Sequence, residues 1–247
     1  MELDEVKSRI ANSGAVVGFT GAGISTESGI ADYRGTGGIW TKYRVVTIQE
    51  FLASDEGRRE YWKRKADLWA SARDAEPNEG HQTFARLHKQ GKLLGLITQN
   101  IDGLHQKAGV PDEKIVELHG TNLRCSCLDC GYPMPTREAM DEWKSSGEPP
   151  ACPECGGWMK PATISFGQSL NEADLQRASS LCANADVLIA AGSSLTVQPA
   201  AGFPVLAKQN GALLVIVNRN ETALDDMADA VIQGEIGTIL PELVCSG

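Results

Sequence analysis

Six short apolar runs punctuate the chain: AVVGFT (15–20), LLGLIT (93–98), IVEL (115–118), DVLIAA (186–191), LLVIV (213–217) and AVI (230–232). Each is nearly continuous rather than alternating, which is the pattern of strands covered on both faces in a parallel sheet. Stretches with helical spacing stand between them. EGHQTFARLHKQ precedes the second strand, NEADLQRASSLCANA the fourth and PAAGFPVLAKQNG the fifth, and the N-terminal MELDEVKSRI is also helical in pattern. Asn171 ahead of Glu172 and Gly211 after Asn210 serve as start and stop signals. The alternation predicts an α/β fold, a Rossmann-like open parallel sheet with helices on both faces. Two segments break it. Residues 38–76 are charged and aromatic with helical spacing, and residues 119–161 hold two cysteine pairs and several prolines. Both read as inserts forming a smaller lobe, which leaves 1–37, 77–118 and 162–247 to the sheet domain.

Polar residues collect where the strands end. The first strand runs into GAGISTESGIADYRG (21–35), the second into QNID (99–102), the fourth into GSS (192–194) and the fifth into NRN (218–220). Open α/β sheets bind ligands at the carboxyl ends of their strands. Glycine, hydroxyl and carboxamide groups at four such ends favour a nucleotide. Gly21 and Gly23 supply a G-x-G that leaves amide N–H groups for phosphate, but the third fingerprint position is Thr26. A tight strand–helix turn without a ligand would give the same pattern. His119 follows the third strand and lies beside Gln99, Asn100 and Asp102 in the predicted sheet. Its side chain titrates near neutrality, which suits it to proton transfer. His81 and His105 fall in apparent helices and read as core or surface residues, and His88 as surface.

Cys127-x-x-Cys130 and Cys152-x-x-Cys155 have nearly the spacing of a zinc ribbon. Four thiolates fill a tetrahedral zinc and leave no position for water or substrate, so the site reads as structural. Cys125 is left as a spare thiol. A net charge of −9 argues against nucleic acid or an anionic membrane as the main partner. No apolar run approaches the roughly 18 residues of a membrane span, and the N-terminus has no signal character. A cytoplasmic protein is expected.

Taken in order, the motifs are GAGIS-x-x-SGI-x-x-(aromatic)-RG at 21–35, EPN-x-x-H at 76–81, TQNID-x-LH at 98–105 and LHG at 118–120. The two cysteine pairs, GSSL-x-V-x-P-A at 192–200 and IVN at 216–218 complete the set. Over nearly the whole chain this resembles the sirtuin family, NAD-dependent protein lysine deacylases, in a prokaryote-like form close to a bare catalytic core. The resemblance implies that an acyl-lysine carbonyl oxygen attacks C1′ of the nicotinamide ribose, nicotinamide leaves, and the acyl group ends on ADP-ribose. It implies His119 as general base on a ribose hydroxyl, with Asn100 and Asp102 positioning ribose, a water and the departing carboxamide. Gly21, Ala22, Gly23, Ile24 and Ser25 would wrap the pyrophosphate, and Asp32, Tyr33 and Arg34 would close over the cofactor. Gln99, Ile101, Gly192, Ser193, Ser194, Asn218 and Ile236 match further cofactor positions. Ile164, Ser165, Phe166 and Gly167, within ATISFGQSL (162–170), resemble a strand-like edge that pairs with the substrate peptide. Cys127, Cys130, Cys152 and Cys155 would hold one structural Zn2+.

Three positions depart from the usual pattern: Ala31 for proline, Tyr33 for phenylalanine and Gln168 for glutamate. The Tyr-x-x-Arg of relatives that remove acidic acyl groups is absent, with Lys65 and Leu68 at that spacing. Acetyl and other neutral acyl groups are therefore expected. The expected reaction uses NAD as co-substrate and acetyl-lysine proteins as partners, with a monomeric enzyme. Rival readings are mono-ADP-ribosyl transfer, a non-catalytic NAD or zinc module, and a hydride-transferring dehydrogenase.

Overall fold

A computed structural model of the chain describes residues 1–33 and 38–244, so Arg34 of the expected cofactor loop lies outside the described residues. The first half contains α1 (Leu3–Asn12), β1 (Val16–Thr20), α2 (Ile39–Lys42), α3 (Ile48–Ala53), α4 (Asp55–Asp74), α5 (Glu79–Lys89), β2 (Leu93–Thr98), α6 (Leu104–Ala108) and β3 (Ile115–Glu117). Next come β4 (Gly120–Cys127), β5 (Pro133–Pro135), α7 (Thr136–Ser146) and β6 (Met159–Thr163). The chain continues through α8 (Glu172–Ala183), β7 (Val187–Ala191), α9 (Gly202–Gln209), β8 (Leu213–Asn218), β9 (Ala230–Gln233) and α10 (Ile236–Val244). All six apolar runs form strands of one sheet, ordered β3-β2-β1-β7-β8-β9, and every pairing in it is parallel.

Near-continuous apolar strands follow from two separate cores. Val16, Val187, Ile189, Val215 and Val217 face one side, where α1, α5 and α10 supply Ile10, Phe84, Leu87 and Leu240. Val17, Phe19, Leu188, Ala190 and Ile216 alternate with them and face α8 and α9 through Cys182, Phe203 and Ala207. Period-two alternation thus buries both faces. Helix starts are set by side chains. Asn171 Oδ1 accepts from Asp174 N–H at 3.2 Å to open α8, and Gly211, at φ +93°, ends α9 in the left-handed region.

The smaller lobe has its own antiparallel sheet, β5-β4-β6. Its core combines Phe51, Tyr61 and Trp62 from the first insert with Met134, Met140 and Met159 from the second. The order of the large sheet places the site. From β1 the chain builds outward through β2 and β3 on one side and through β7, β8 and β9 on the other. The carboxyl ends of β1 and β7 flank the crevice where the order reverses, which is where such sheets bind ligands. No helix among the described residues is long and apolar enough to cross a membrane.

Candidate active site

At the reversal point the ends of β1 and β7 touch. Gly21 N–H donates to the Ala191 carbonyl at 3.1 Å, and Gly23 N–H to the Gly192 carbonyl at 2.8 Å. A Cβ on Gly21 or Gly23 would lie 2.8 Å from Gly192 atoms, and one on Gly192, at φ +67°, would lie 2.2 Å from Ile24 N. Glycine is therefore required by the approach of the two loops to each other, and the cradle they form has no side chains on these positions. Ala22 begins a 3-10 segment, Ala22–Ser28, that carries Ile24 and Ser25 into the interior.

The polar cluster after β2 is tied to that loop. Asn100 is buried and donates from Nδ2 to the Gly21 carbonyl at 3.1 Å and to Ser25 Oγ at 3.2 Å. Ser25 donates in turn to Asp102 Oδ2 at 2.7 Å, while Asp102 Oδ1 accepts from Leu104 N–H at 3.0 Å. Burial raises the Asp102 pKa, opposed by the Leu104 N–H and Ser25 hydroxyl bonds. His81 closes the set. Its Nδ1 lies 3.3 Å from Asn78 N and 3.1 Å from Asn78 Oδ1, and its Nε2 stands 3.4 Å from Ser25 Oγ; because the Ser25 proton goes to Asp102, Nε2 is the donor in that contact. Ser25 thus accepts twice and donates once, and burial holds His81 neutral by pulling its pKa down to about 4.

A cavity of 260 Å³ opens onto this cluster, lined by Ala22, Ser25, Tyr33, Asn100, Ile101 and Asp102 on one side. Lys65, Leu68 and Trp69 of α4 and Asn122 of β4 form the opposite wall. Burial raises the Tyr33 pKa, and the Asp102 carboxylate adds to the effect. The remaining expected residues lie around the crevice. Gln99 Nε2 donates to Ser193 Oγ at 2.9 Å and bridges the ends of β2 and β7. Ser194 pairs with Thr196 at 2.9 Å, and Asn218 Nδ2 donates to the Asn220 carbonyl at 2.7 Å. Ile236 is buried with Ile24 in the core beneath the strand ends. Asp32 supplies its carbonyl to Ile39 N–H at 2.9 Å.

His119 stands on the far side of Gln99. Its Nδ1 lies 3.0 Å from the Gln99 carbonyl, which can only accept, so Nδ1 carries the proton and Nε2 is the basic nitrogen. Desolvation lowers its pKa, and the Gln99 bond partly offsets that. The His119 carbonyl accepts from Ile164 N–H at 2.8 Å, placing the expected peptide segment alongside. That segment differs from the expected strand-like edge, because β6 ends at Thr163. Ser165 to Gln168 turn instead. Gln168 N–H donates to the Ser165 carbonyl at 3.0 Å, Gln168 Oε1 accepts from Ser165 N–H at 3.2 Å, and Gly167 has φ +82°. Phe166 is 51% exposed.

In the smaller lobe the sulfurs of Cys127, Cys130, Cys152 and Cys155 all lie within 4.8 Å of one another. Pairs stand 3.4 to 3.6 Å apart, against about 3.8 Å across a tetrahedron of 2.3 Å zinc–sulfur bonds. Four thiols so placed, without disulfides, fit a structural zinc. Cys125 is buried outside the group, 3.6 Å from Thr136 Oγ1.

Residues 21–199 match the model of the Sir2 family. The chain belongs to that family. Its sirtuin relatives include an NAD-dependent protein deacetylase of Rhodopseudomonas palustris, 44% identical over 98% of this chain and 96% of the relative. An NAD-dependent protein deacylase of Pyrococcus furiosus is 38% identical over 98% and 96%. A solved Sir2 enzyme with a deacetylated p53 peptide and 3′-O-acetyl-ADP-ribose superposes with TM-score 0.91 at 34% identity, covering 100% of this chain and 99% of that one. Another Sir2 enzyme, with a p53 peptide and NAD+, gives TM-score 0.88 at 33% identity over 98% and 97%. Against the sirtuin motifs, the residue that periodicity hid is His81. Its helical position gave no sign that it faces Ser25, although Asn78 three residues earlier was a capping signal that fixes that face.

Proposed function

We propose that this sirtuin removes acetyl groups from protein lysines, with NAD as the consumed co-substrate, nicotinamide released and the acetyl group ending on ADP-ribose. The observation that carries the reading is the His119 imidazole, held through Nδ1 on the Gln99 carbonyl with Nε2 unprotonated, one residue along β2's exit from Asn100. When bound, NAD supplies the electrophilic ribose carbon and the hydroxyls to which the acetyl group moves. The chain's own groups do the rest. Nε2 of His119 takes a hydroxyl proton, and its lowered pKa keeps it neutral for that task. Gly21, Gly23 and Gly192 keep side chains out of the pyrophosphate cradle. Asn100, Asp102 and Ser25 fix dipoles at the nicotinamide end, and Tyr33 closes it from water.

In this reading residues 1–37, 77–118 and 162–247 form the NAD-binding domain, and 38–76 with 119–161 form the small domain. Asp32 and Arg34 belong to the loop over the cofactor. Ile101, Ser193, Ser194, Asn218 and Ile236 complete the cofactor contacts, and Ile164, Ser165, Phe166 and Gly167 receive the peptide. The enzyme works as a cytoplasmic monomer on acetyl-lysine proteins.

The test is nicotinamide release with an acetyl-lysine peptide. Wild-type protein should release nicotinamide only when peptide and NAD are both present, and His119→Ala should lower the rate of deacetylation by about 10²–10⁴-fold. Release that needs no peptide, with ADP-ribose gained by a protein, would favour ADP-ribosyl transfer instead.

A further inference from the structure

Lys65 lines the cavity from α4, yet no ion pair among the described residues includes it. Its Nζ donates to Asn122 Oδ1 at 2.9 Å. Around it stand Tyr61, whose ring centre is 5.7 Å from Nζ, and the charged groups of Lys160 and Arg64. Desolvation first, then those two cations, push its pKa down to about 7. A partly buried ammonium without a carboxylate carries a desolvation cost that an apolar side chain of similar length would not. What the amine secures is Asn122.

Asn122 and Leu123 grip the loop after β2 at two points. Asn122 N–H donates to the Ile101 carbonyl at 2.8 Å. Leu123 packs so closely on Gly103 that a Cβ there would lie 2.9 Å from Leu123 Cδ1. Asp102 sits between those two points, with its carboxylate on Ser25 and the Leu104 N–H. We propose that Lys65 is a positioning residue for the nicotinamide end of the site: by holding Asn122 it joins α4 and β4, from the two inserts, to the loop that presents Ile101 and Asp102. The inference rests on the reading of that end as the NAD site.

The link predicts a selective and non-additive loss. In titration calorimetry of zinc-loaded protein, Lys65→Met and Asn122→Ala should each weaken NAD binding by about tenfold. The double variant should be no weaker than either single one, and affinity for an acetyl-lysine peptide should stay within twofold. Lys65→Arg keeps a donor toward Asn122 and should restore most of the NAD affinity. In steady-state assays the same variants should raise KM for NAD and Ki for nicotinamide while leaving KM for peptide unchanged. Losses that multiply in the double variant would overturn the link. So would a loss confined to the peptide, which would place the Lys65 amine against the acyl chain instead. Should Lys65→Met fail to fold, Asn122→Ala alone must still show the selective loss. Wild-type protein that binds NAD but deacetylates nothing would sink the functional reading and leave this link standing, whereas wild-type protein that does not bind NAD overturns both.

Discussion

Single atoms decide much of this site. At Gly192 a methyl group would meet the Ile24 nitrogen at 2.2 Å on a backbone already at φ +67°. Gly192→Ala should therefore cost roughly 1–3 kcal/mol in urea unfolding and weaken NAD binding at the same time, because the β1 and β7 loops must separate. Thermal and binding data that match wild type would contradict that contact. At His119 the sign of the pKa change sets a pH profile. The base is active when neutral, so deacetylation should persist as pH falls and decline through a value below the ordinary imidazole pKa of about 6.5. A decline centred above 6.5 would mean that the imidazole is stabilised in its charged form. Asn100, Asp102 and His119 stood out as candidates because polar groups at the ends of apolar strands have few structural uses. His81 and Lys65 did not, since a helix pattern states which residues are polar but not what faces them.

The opening of α5 is a capping box in which Asn78 holds the first N–H groups and also donates to the Ile24 carbonyl at 2.7 Å. One residue thus starts a helix and fixes the loop after β1. In the smaller sheet, β4 and β6 bring the two cysteine pairs together, and the pairs flank a core built around Trp62 and Met159. Removal of zinc with a strong chelator should release one ion per chain, melt this lobe and abolish deacetylation, while the six-stranded sheet keeps its far-UV signal. A chelated protein with unchanged activity would mean that packing alone holds the lobe. The cysteine spacing made this lobe legible in outline. Its three strands were not, because β4 buries residues irregularly and shifts register between Gly120 and Cys125, which erases the period-two pattern. The turn at 165–168 escaped for a similar reason: its geometry comes from the Gln168 side chain folding back on Ser165.

For the whole molecule, six apolar runs and the helices between them predict an open parallel sheet, and the reversal beside β1 in the observed strand order then locates the crevice without reference to any motif. Burial of imidazoles under that crevice links folding to pH. His81 has a folded pKa of about 4, and His105 is likewise lowered well below its usual value by burial and by His81. The unfolded chain binds more protons below about pH 6.5, so their contribution is intact above that value and is lost as pH falls toward the folded pKa. For His81 alone the loss is about 1.4 kcal/mol per pH unit, roughly 2 kcal/mol between pH 6.5 and 5. Unfolding free energies of His81→Gln should fall less steeply with acid than those of wild type, and equal slopes would refute the assignment. Mass spectrometry of an acetyl-lysine peptide with and without NAD reads the deacetylation chemistry itself. The acetyl group should be lost only with NAD, matched by O-acetyl-ADP-ribose, with about 10²–10⁴-fold slower product formation by His119→Ala. Deacetylation without NAD, or NAD consumed while the peptide stays acetylated, would contradict the deacetylase reading.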